Sequence, residues 1–239
     1  MNIVVDYGNS AAKVGIFDHQ TLTSRLTFNV AEELRVFLEM STAENLIVSS
    51  VSVDTKLVTD WAQSAKKKFI LEPTLPLPVK ILYATPATLG VDRIAAVCGA
   101  QQQFPLQHCL VIDAGTCLTY DFLDKHSNYH GGAISPGLNM RFQALHTFTA
   151  RLPLISPAAN VGLVGDSTES SIQSGVINGI IAEMDGIIEQ YAKKFDNLRV
   201  ILCGGDTRFF ENKLKASIFA SPELVLSGLN SILIHNVNH

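Results

Sequence analysis

Three short stretches concentrate the side chains able to do chemistry. The first lies in IVVDYGNSAAKVGIF (3–17), where an apolar run stops at Asp6 and is followed by Tyr7, Gly8, Asn9 and Ser10 before the chain turns apolar again past Lys13. A hairpin turn accounts for this pattern by itself. So does a site for the phosphates of a nucleoside triphosphate. A glycine lets backbone N–H groups approach phosphate oxygens as an anion nest, and Asn9, Ser10 and Lys13 add donors. Carboxylate and phosphate repel unless a cation lies between them. Asp6 therefore suits a Mg²⁺ ion held by few protein carboxylates and completed by water and phosphate.

The second stretch repeats the first. In CLVIDAGTCLTYDFLD (109–124) the run Val111-Ile112-Asp113-x-Gly115-Thr116-Cys117 follows the pattern Val4-Val5-Asp6-x-Gly8-Asn9-Ser10, about half a chain later. Each copy leads into a second apolar run ending near an acid, Asp18 and Asp124. A turn explains one such segment and does not predict a second. Two copies imply two similar α/β domains facing each other, with both acidic turns in the cleft between them. Asp113 then offers a second cation position.

The third stretch is GVDR (90–93), at an expected loop-to-helix junction. A helix start with a surface ion pair would explain it. Alternatively, Arg93 presents a planar fork for a substrate carboxylate, and Asp92 accepts a proton. A carboxylate with an ordinary pKa of about 3.9 cannot deprotonate an alcohol outright. In a loose phosphoryl-transfer transition state it needs only to orient the hydroxyl and collect the proton late. The CGGD stretch (203–206) reads either as a strand-to-helix turn or as a place where missing side chains admit a flat adenine or ribose. His126 and His130 have i, i+4 spacing, but turn residues lie between them and no third ligand is evident. Neither a GxxxxGK[ST] loop nor a GxGxxG fingerprint occurs.

The elements that must carry these groups follow from periodicity and punctuation. Strands are expected over 2–7, 12–17, 21–28 and 45–51. Asn29 and Glu32 have capping-box spacing for a helix bearing Leu34, Phe37 and Leu38. Asp54 is an N-cap for a second helix whose last turn would hold Lys66, Lys67 and Lys68. Residues 71–80 are extended and Pro-rich, and a helix covers 87–103. After the second hairpin, 130–138 reads as a Gly/Pro loop, 139–150 as helix and 167–195 as a long amphipathic helix. The buried strand RVILCGGD (199–206), a short helix and a closing helix over 222–236 complete the chain. The long helix carries more isoleucines between 172 and 191 than one face requires, which suits burial against a symmetric partner; the alternative is packing inside its own domain.

Bulk properties narrow the partners. The 239 residues are 47% hydrophobic and 17% charged, the composition of a compact globular chain. With 18 basic against 22 acidic residues the net charge of −4 argues against a general nucleic-acid binder, whose phosphate contacts need a basic surface. No stretch has the length of a membrane span, and no secretory leader is evident. Cys98, Cys109, Cys117 and Cys203 include no CxxC pair and read as free thiols of a reducing, cytoplasmic setting.

Taken in order, DYGNSAAKVG near the start, GVDR near 90, DAGTCLTYD near 113, GGAISPG near 131, GDST…QSG near 165 and the strand-GGD near 204 resemble type III pantothenate kinases over residues 3 to about 230. The resemblance implies an α/β fold of the acetate and sugar kinase/Hsp70/actin superfamily, with two ribonuclease-H-like domains (here 1–104 and 105–239) around an ATP cleft. It implies ATP-dependent phosphorylation of pantothenate by a cytoplasmic homodimer, with no nucleic-acid or membrane partner. The phosphate loop falls on Asp6, Tyr7, Gly8, Asn9, Ser10, Ala11, Ala12 and Lys13, with Asp6 near Mg²⁺. Pantothenate falls to Tyr83, Gly90, Val91, Asp92 and Arg93, with Asp92 the proton acceptor, and to Thr168 across the dimer interface. Asp113 holds K⁺ or NH₄⁺ and Thr116 contacts ATP. The departures are slight: Ser10 stands where Thr is commoner, and Cys117 where a small Ala is common. Another small-molecule kinase of the superfamily and a non-enzymatic ATP-binding regulator are the alternative readings.

Overall fold

The structure is a computed structural model and describes residues 1–8, 11–50 and 54–238. The chain forms two compact units. The first comprises Met1–Leu106, Leu123–His130 and Glu223–His239; the second comprises Gln107–Phe122 and Gly131–Pro222. The closing helix and the segment Leu123–His130 therefore belong with the first unit, whereas the sequence pattern places one boundary at 104/105.

In the first unit, β1 (Asn2–Tyr7), β2 (Ala12–Asp18), β3 (Thr21–Phe28), β4 (Asn45–Ser50) and β5 (Lys67–Ile70) make one sheet in the order β3-β2-β1-β4-β5. The β1–β2–β3 meander is antiparallel, and β4 and β5 extend it in parallel. Both faces are covered, so residues 2–5 of β1 are all buried, and after Asn2 they read as the continuous apolar run Ile3-Val4-Val5. On one face Ile3, Val5, Leu46 and Val48 meet Leu34 and Leu38 of α1 (Ala31–Met40) and Val58 of α2 (Thr55–Trp61). The other face receives α7 (Leu224–Val237) and α3 (Val91–Gln103). Because α7 is apolar nearly all round, burial is its stable outcome. Its one buried amide, Asn230, accepts from Asn2 Nδ2 at 3.0 Å and donates to the His19 carbonyl at 2.8 Å.

The sheet of the second unit is built on β7 (Cys109–Ala114), β8 (Cys117–Leu123) and β9 (Asn128–Pro136), with β10 (Arg199–Cys203) parallel to β7 and β11 (Phe219–Ala220) outside it. Against it pack α4 (Leu138–Thr147) and α5 (Thr168–Lys194); α6 (Thr207–Phe210) follows β10. The first residues of β9 pair with β6 (Lys80–Ile81) inside the first unit.

Four local expectations change. The helix α1 is capped at Val30 without a side-chain bond, so Asn29 and Glu32 do not form the capping box. Asp54 does cap α2, accepting from Lys56 N at 2.9 Å, but that helix stops at Trp61 and Lys67 and Lys68 lie on β5. They are exposed there, where charge on an edge strand deters pairing with another chain. Residues 130–136 are strand, not loop. Finally, Ile172, Ile177, Ile180 and Ile188 of α5 are buried in the core of their own unit, with Ile181 and Ile187 packed against it. The isoleucine count of this helix is thus consumed internally.

The β8–β9 turn is tied by one acid. Asp124 accepts from the backbone N–H of His126 and of Asn128, both at 2.9 Å, from Asn128 Nδ2 at 3.0 Å, and lies 2.9 Å from His130 Nε2. Burial would raise its pKa, but these bonds outweigh burial and hold the carboxyl well below the usual range. A folded-state pKa below the unfolded one means the stabilisation is complete above about pH 4 and fades as pH falls further. Asp124→Ala is expected to lose about 1–2 kcal/mol at pH 7 and to lose less additional stability on acidification. Urea melts at pH 7 and pH 3 check both; equal losses at the two pH values would refute the assignment.

Candidate active site

Asp6 sits one residue from the end of β1, in register with Lys13 across the β1–β2 hairpin and with Ser49 on the parallel neighbour β4. Burial pushes its carboxyl up to about 6; the Lys13 ammonium pulls it back, and the charge of Asp92 pushes it further up. The structure thus brings together two acids that are far apart in sequence, one at a strand end and one in the first turn of α3. Gly8 N–H donates to the Ala11 carbonyl at 3.1 Å, starting the turn. Among the described residues, a Cβ on Gly8 would meet Ala11 O at an ordinary 3.5 Å. Tyr7, Ala11, Ala12 and Lys13 complete the described part of the loop. Asn9 and Ser10 lie outside the described residues.

In GVDR, Gly90 is the N-cap of α3, where a Cβ would come within 2.5 Å of Asp92 Oδ1. That oxygen accepts from Arg93 N at 2.8 Å, so the carboxylate is oriented by a helix N-terminus that favours negative charge. Val91 and Asp92 are half-buried. Arg93 is buried, with its guanidinium carbon 5.8 Å from the ring centroid of Tyr83. Tyr83 itself stacks on Tyr129 at 6.3 Å. A surface ion pair does not describe this arginine.

The second unit holds Asp113, Thr116 and Thr168. Asp113 sits one residue from the end of β7 and is half-buried, while Thr116 is exposed on the turn that follows. The two glycines of CGGD divide the readings of that motif. Gly204 has φ +93°, and a Cβ there would lie 2.3 Å from Asp113 Oδ1, so the chain itself requires it. Gly205 has nothing within 4 Å and leaves open backbone. Thr168 is exposed at the start of α5, whose N-cap Ser167 forms a capping box with Ser170. It lines a cavity of about 1260 Å³ together with Arg141, Phe148, Asp166 and Ile172.

Sequence reasoning missed Ser49. Its hydroxyl is fully buried, lacks a hydrogen-bond partner among the described residues, and is in register with Asp6 on a parallel strand, which puts both side chains on one face of the sheet. The only signal was the strand assignment itself, since its register to β1 is not visible in the sequence. A buried donor with no described partner beside a half-buried acid fits a site whose remaining partners come with a ligand. Among the described residues no three His, Cys, Asp or Glu side chains gather into a metal cage. The Asp6 carboxylate, with the Ser49 hydroxyl in register beside it, fits a Mg²⁺ ion that takes most of its ligands from water and phosphate. The His126–His130 pair is tied to Asp124 through His130. All four cysteines are free, and burial pushes the Cys109 thiol up to about 12.

Two hairpin-and-helix units of this kind define the two-domain ATPase fold that sugar kinases share. Solved structures agree: a putative Baf family transcriptional activator from Campylobacter jejuni aligns with a TM-score of 0.66 at 23% identity, over 99% of this chain and 100% of that one. A putative 2-dehydro-3-deoxygalactonokinase from Sinorhizobium meliloti aligns at 0.58 and 14% identity, over 97% and 98%. The sequence comparisons are more specific. The family model for type III pantothenate kinase matches residues 2–190. The chain is 45% identical over 240 residues to the type III pantothenate kinase of Christiangramia forsetii and 44% identical over 239 to that of Phocaeicola vulgatus, each alignment covering 99% of both chains. The chain belongs to the type III pantothenate kinase family.

Proposed function

We propose that this protein transfers the γ-phosphoryl group of ATP to the terminal hydroxyl of pantothenate, the first step toward coenzyme A. The observation that carries the reading is that Asp92 lies close enough for its charge to act on Asp6. It sets an acid suited to a metal–phosphate complex beside an acid suited to receive a proton. Asp6 and the 7–13 segment hold the phosphates, with Mg²⁺ neutralising charge where Asp6 and phosphate would otherwise repel. Asp92 orients the hydroxyl and accepts its proton late in transfer. Arg93 and Tyr83 bind pantothenate with Gly90 and Val91, Thr116 contacts ATP, and Asp113 holds K⁺ or NH₄⁺. Catalysis is then mostly positioning and charge neutralisation.

The experiment is purified protein with Mg²⁺-ATP and pantothenate, with and without K⁺, read by mass for phosphopantothenate. Product that increases with K⁺ is expected. Product independent of K⁺ would remove the monovalent ion from Asp113. Absence of product with ATP still bound would shift the acceptor to another small alcohol.

The protein works as a cytoplasmic homodimer in this reading. Support comes from Phe148, Leu163 and Val164, large apolar side chains that are each about 85% exposed on the second unit. Such side chains, close in sequence to the cavity carrying Thr168, are costly to leave in water. Light scattering is expected to give twice the 25.9 kDa chain mass, with Phe148→Asp shifting it toward monomer. A fully active monomer would end the shared-site picture.

A further inference from the structure

The second unit contains a polar set, anchored on a buried tyrosine and otherwise half-buried, that the reaction above does not use. Tyr120 of β8, only 1% exposed, donates from its hydroxyl to Glu183 Oε1 on α5 at 3.0 Å. Glu183 Oε2 receives Arg141 Nη2 from α4. The same guanidinium reaches the end of β9, donating to Ser135 Oγ at 3.0 Å and, through Nε, to the Pro136 carbonyl at 2.9 Å. Immediately after Pro136, Gly137 N–H donates to the Thr116 carbonyl at 3.2 Å. Gly137 lies so close to that turn that a Cβ would come within 2.3 Å of Gly115 O and 2.4 Å of Thr116 O. The path therefore closes on itself, from β8 through α5, α4 and the end of β9 back to the turn that precedes β8.

We infer that Glu183, Arg141 and Tyr120 are positioning residues that brace the Gly115–Thr116 turn in the shape that receives the nucleotide. The inference rests on the proposed contact of Thr116 with ATP. It is not needed to explain why the helices pack, because Phe142, Ile180 and Met184 already join α4 and α5 to the core. The Arg141–Glu183 pair is half-buried, and an ion pair taken out of water even in part is a weak source of stability; what it adds is a fixed geometry. Burial would raise the Glu183 pKa, but bonds from Arg141, Tyr120 and Ser135 keep it low, so the carboxylate is charged when it clamps the guanidinium. Without that clamp, Arg141 can swing toward the cavity it lines, and Pro136–Gly137 loses its tether.

The test compares Glu183→Ala, Glu183→Gln and Tyr120→Phe with the parent chain. It uses calorimetric titration with Mg²⁺-ATP, the KM and kcat for ATP, and thermal melts. In Glu183→Ala, Kd and KM for ATP are expected to rise about tenfold together, as a displaced turn requires. Glutamine can still accept from Arg141 and reach Tyr120, and it should bring both constants back to within about threefold. Tyr120→Phe should shift them in the same direction by less, and it decides the matter if the alanine variant does not fold. A lowered melting temperature with unchanged Kd and KM for ATP would reduce the set to structural glue and overturn the inference. A parent chain that binds ATP but leaves pantothenate unphosphorylated would overturn the proposed function instead, while the Kd comparison would still decide the brace.

Discussion

Replacing Asp92 by alanine is expected to slow turnover by about 10²- to 10⁴-fold, the usual scale for losing a positioned proton acceptor, while Mg²⁺-ATP still binds. The reason is local. Asp92 lies in the first turn of α3, and its Oδ1 is held by Arg93 N. The carboxylate is therefore fixed before substrate arrives, and truncation removes it without breaking an element. Asparagine keeps the shape and loses the proton-accepting oxygen, so Asp92→Asn should be nearly as slow. A second readout follows from the charge between the two acids. Asp92 is one cause of the raised Asp6 pKa, so removing it should lower the midpoint at which Asp6 ionises, visible by NMR titration of the ligand-free protein. A single-turnover rate within twofold of the parent would remove Asp92 from the chemistry.

Most of what positions these residues was legible in the chain because it is local. The two strand–acid–glycine hairpins are written in residues 3–17 and 109–124, and both appear as β1–β2 and β7–β8. Asp54 was readable as a cap because its side-chain bond spans two residues. What stayed hidden depends on contacts made at long range. The lysines after Trp61 have the composition of a helix end, yet parallel pairing with β4 makes them strand. Ser49 lies within a strand that was recognised, but its place beside Asp6 is set by register. The isoleucines of α5 looked surplus because the width of the surface they cover was unknown; α4, β7, β8 and β10 all share that core. The exposed apolar residues lie instead at positions such as Phe148 and Val164, where periodicity offers no warning. Glu183 and Arg141 are 42 residues apart and carry no shared motif.

The same distinction governs the prediction with the largest expected effect on stability. Gly99 of α3 and Gly228 of α7 lie where the two helices touch backbone to backbone. A Cβ on Gly228 would come within 1.7 Å of the Ala95 carbonyl oxygen, and one on Gly99 within 2.4 Å of the Leu224 carbonyl oxygen. No flexible side chain can yield at either contact, so a methyl group must push the helices apart. Gly228→Ala is expected to destabilise by more than about 3 kcal/mol, at the upper end of overpacking costs, lowering the melting temperature by roughly 10 °C. An ordinary helix glycine behaves in the opposite way. Gly186 of α5 has nothing within 4 Å, so Gly186→Ala should be neutral or stabilising by up to about 1 kcal/mol. The consequence reaches the site because α3 begins with Asp92 and Arg93. Any shift of α3 off its seat on the sheet changes the distance from Asp92 to Asp6, and a displacement of about 1 Å can cost 10²-fold in rate. Assayed well below its melting temperature, Gly228→Ala should lose turnover as well as stability, whereas Gly186→Ala should keep both. Full activity in a destabilised Gly228→Ala would mean that α7 alone moves and that the seat of α3 does not depend on this contact.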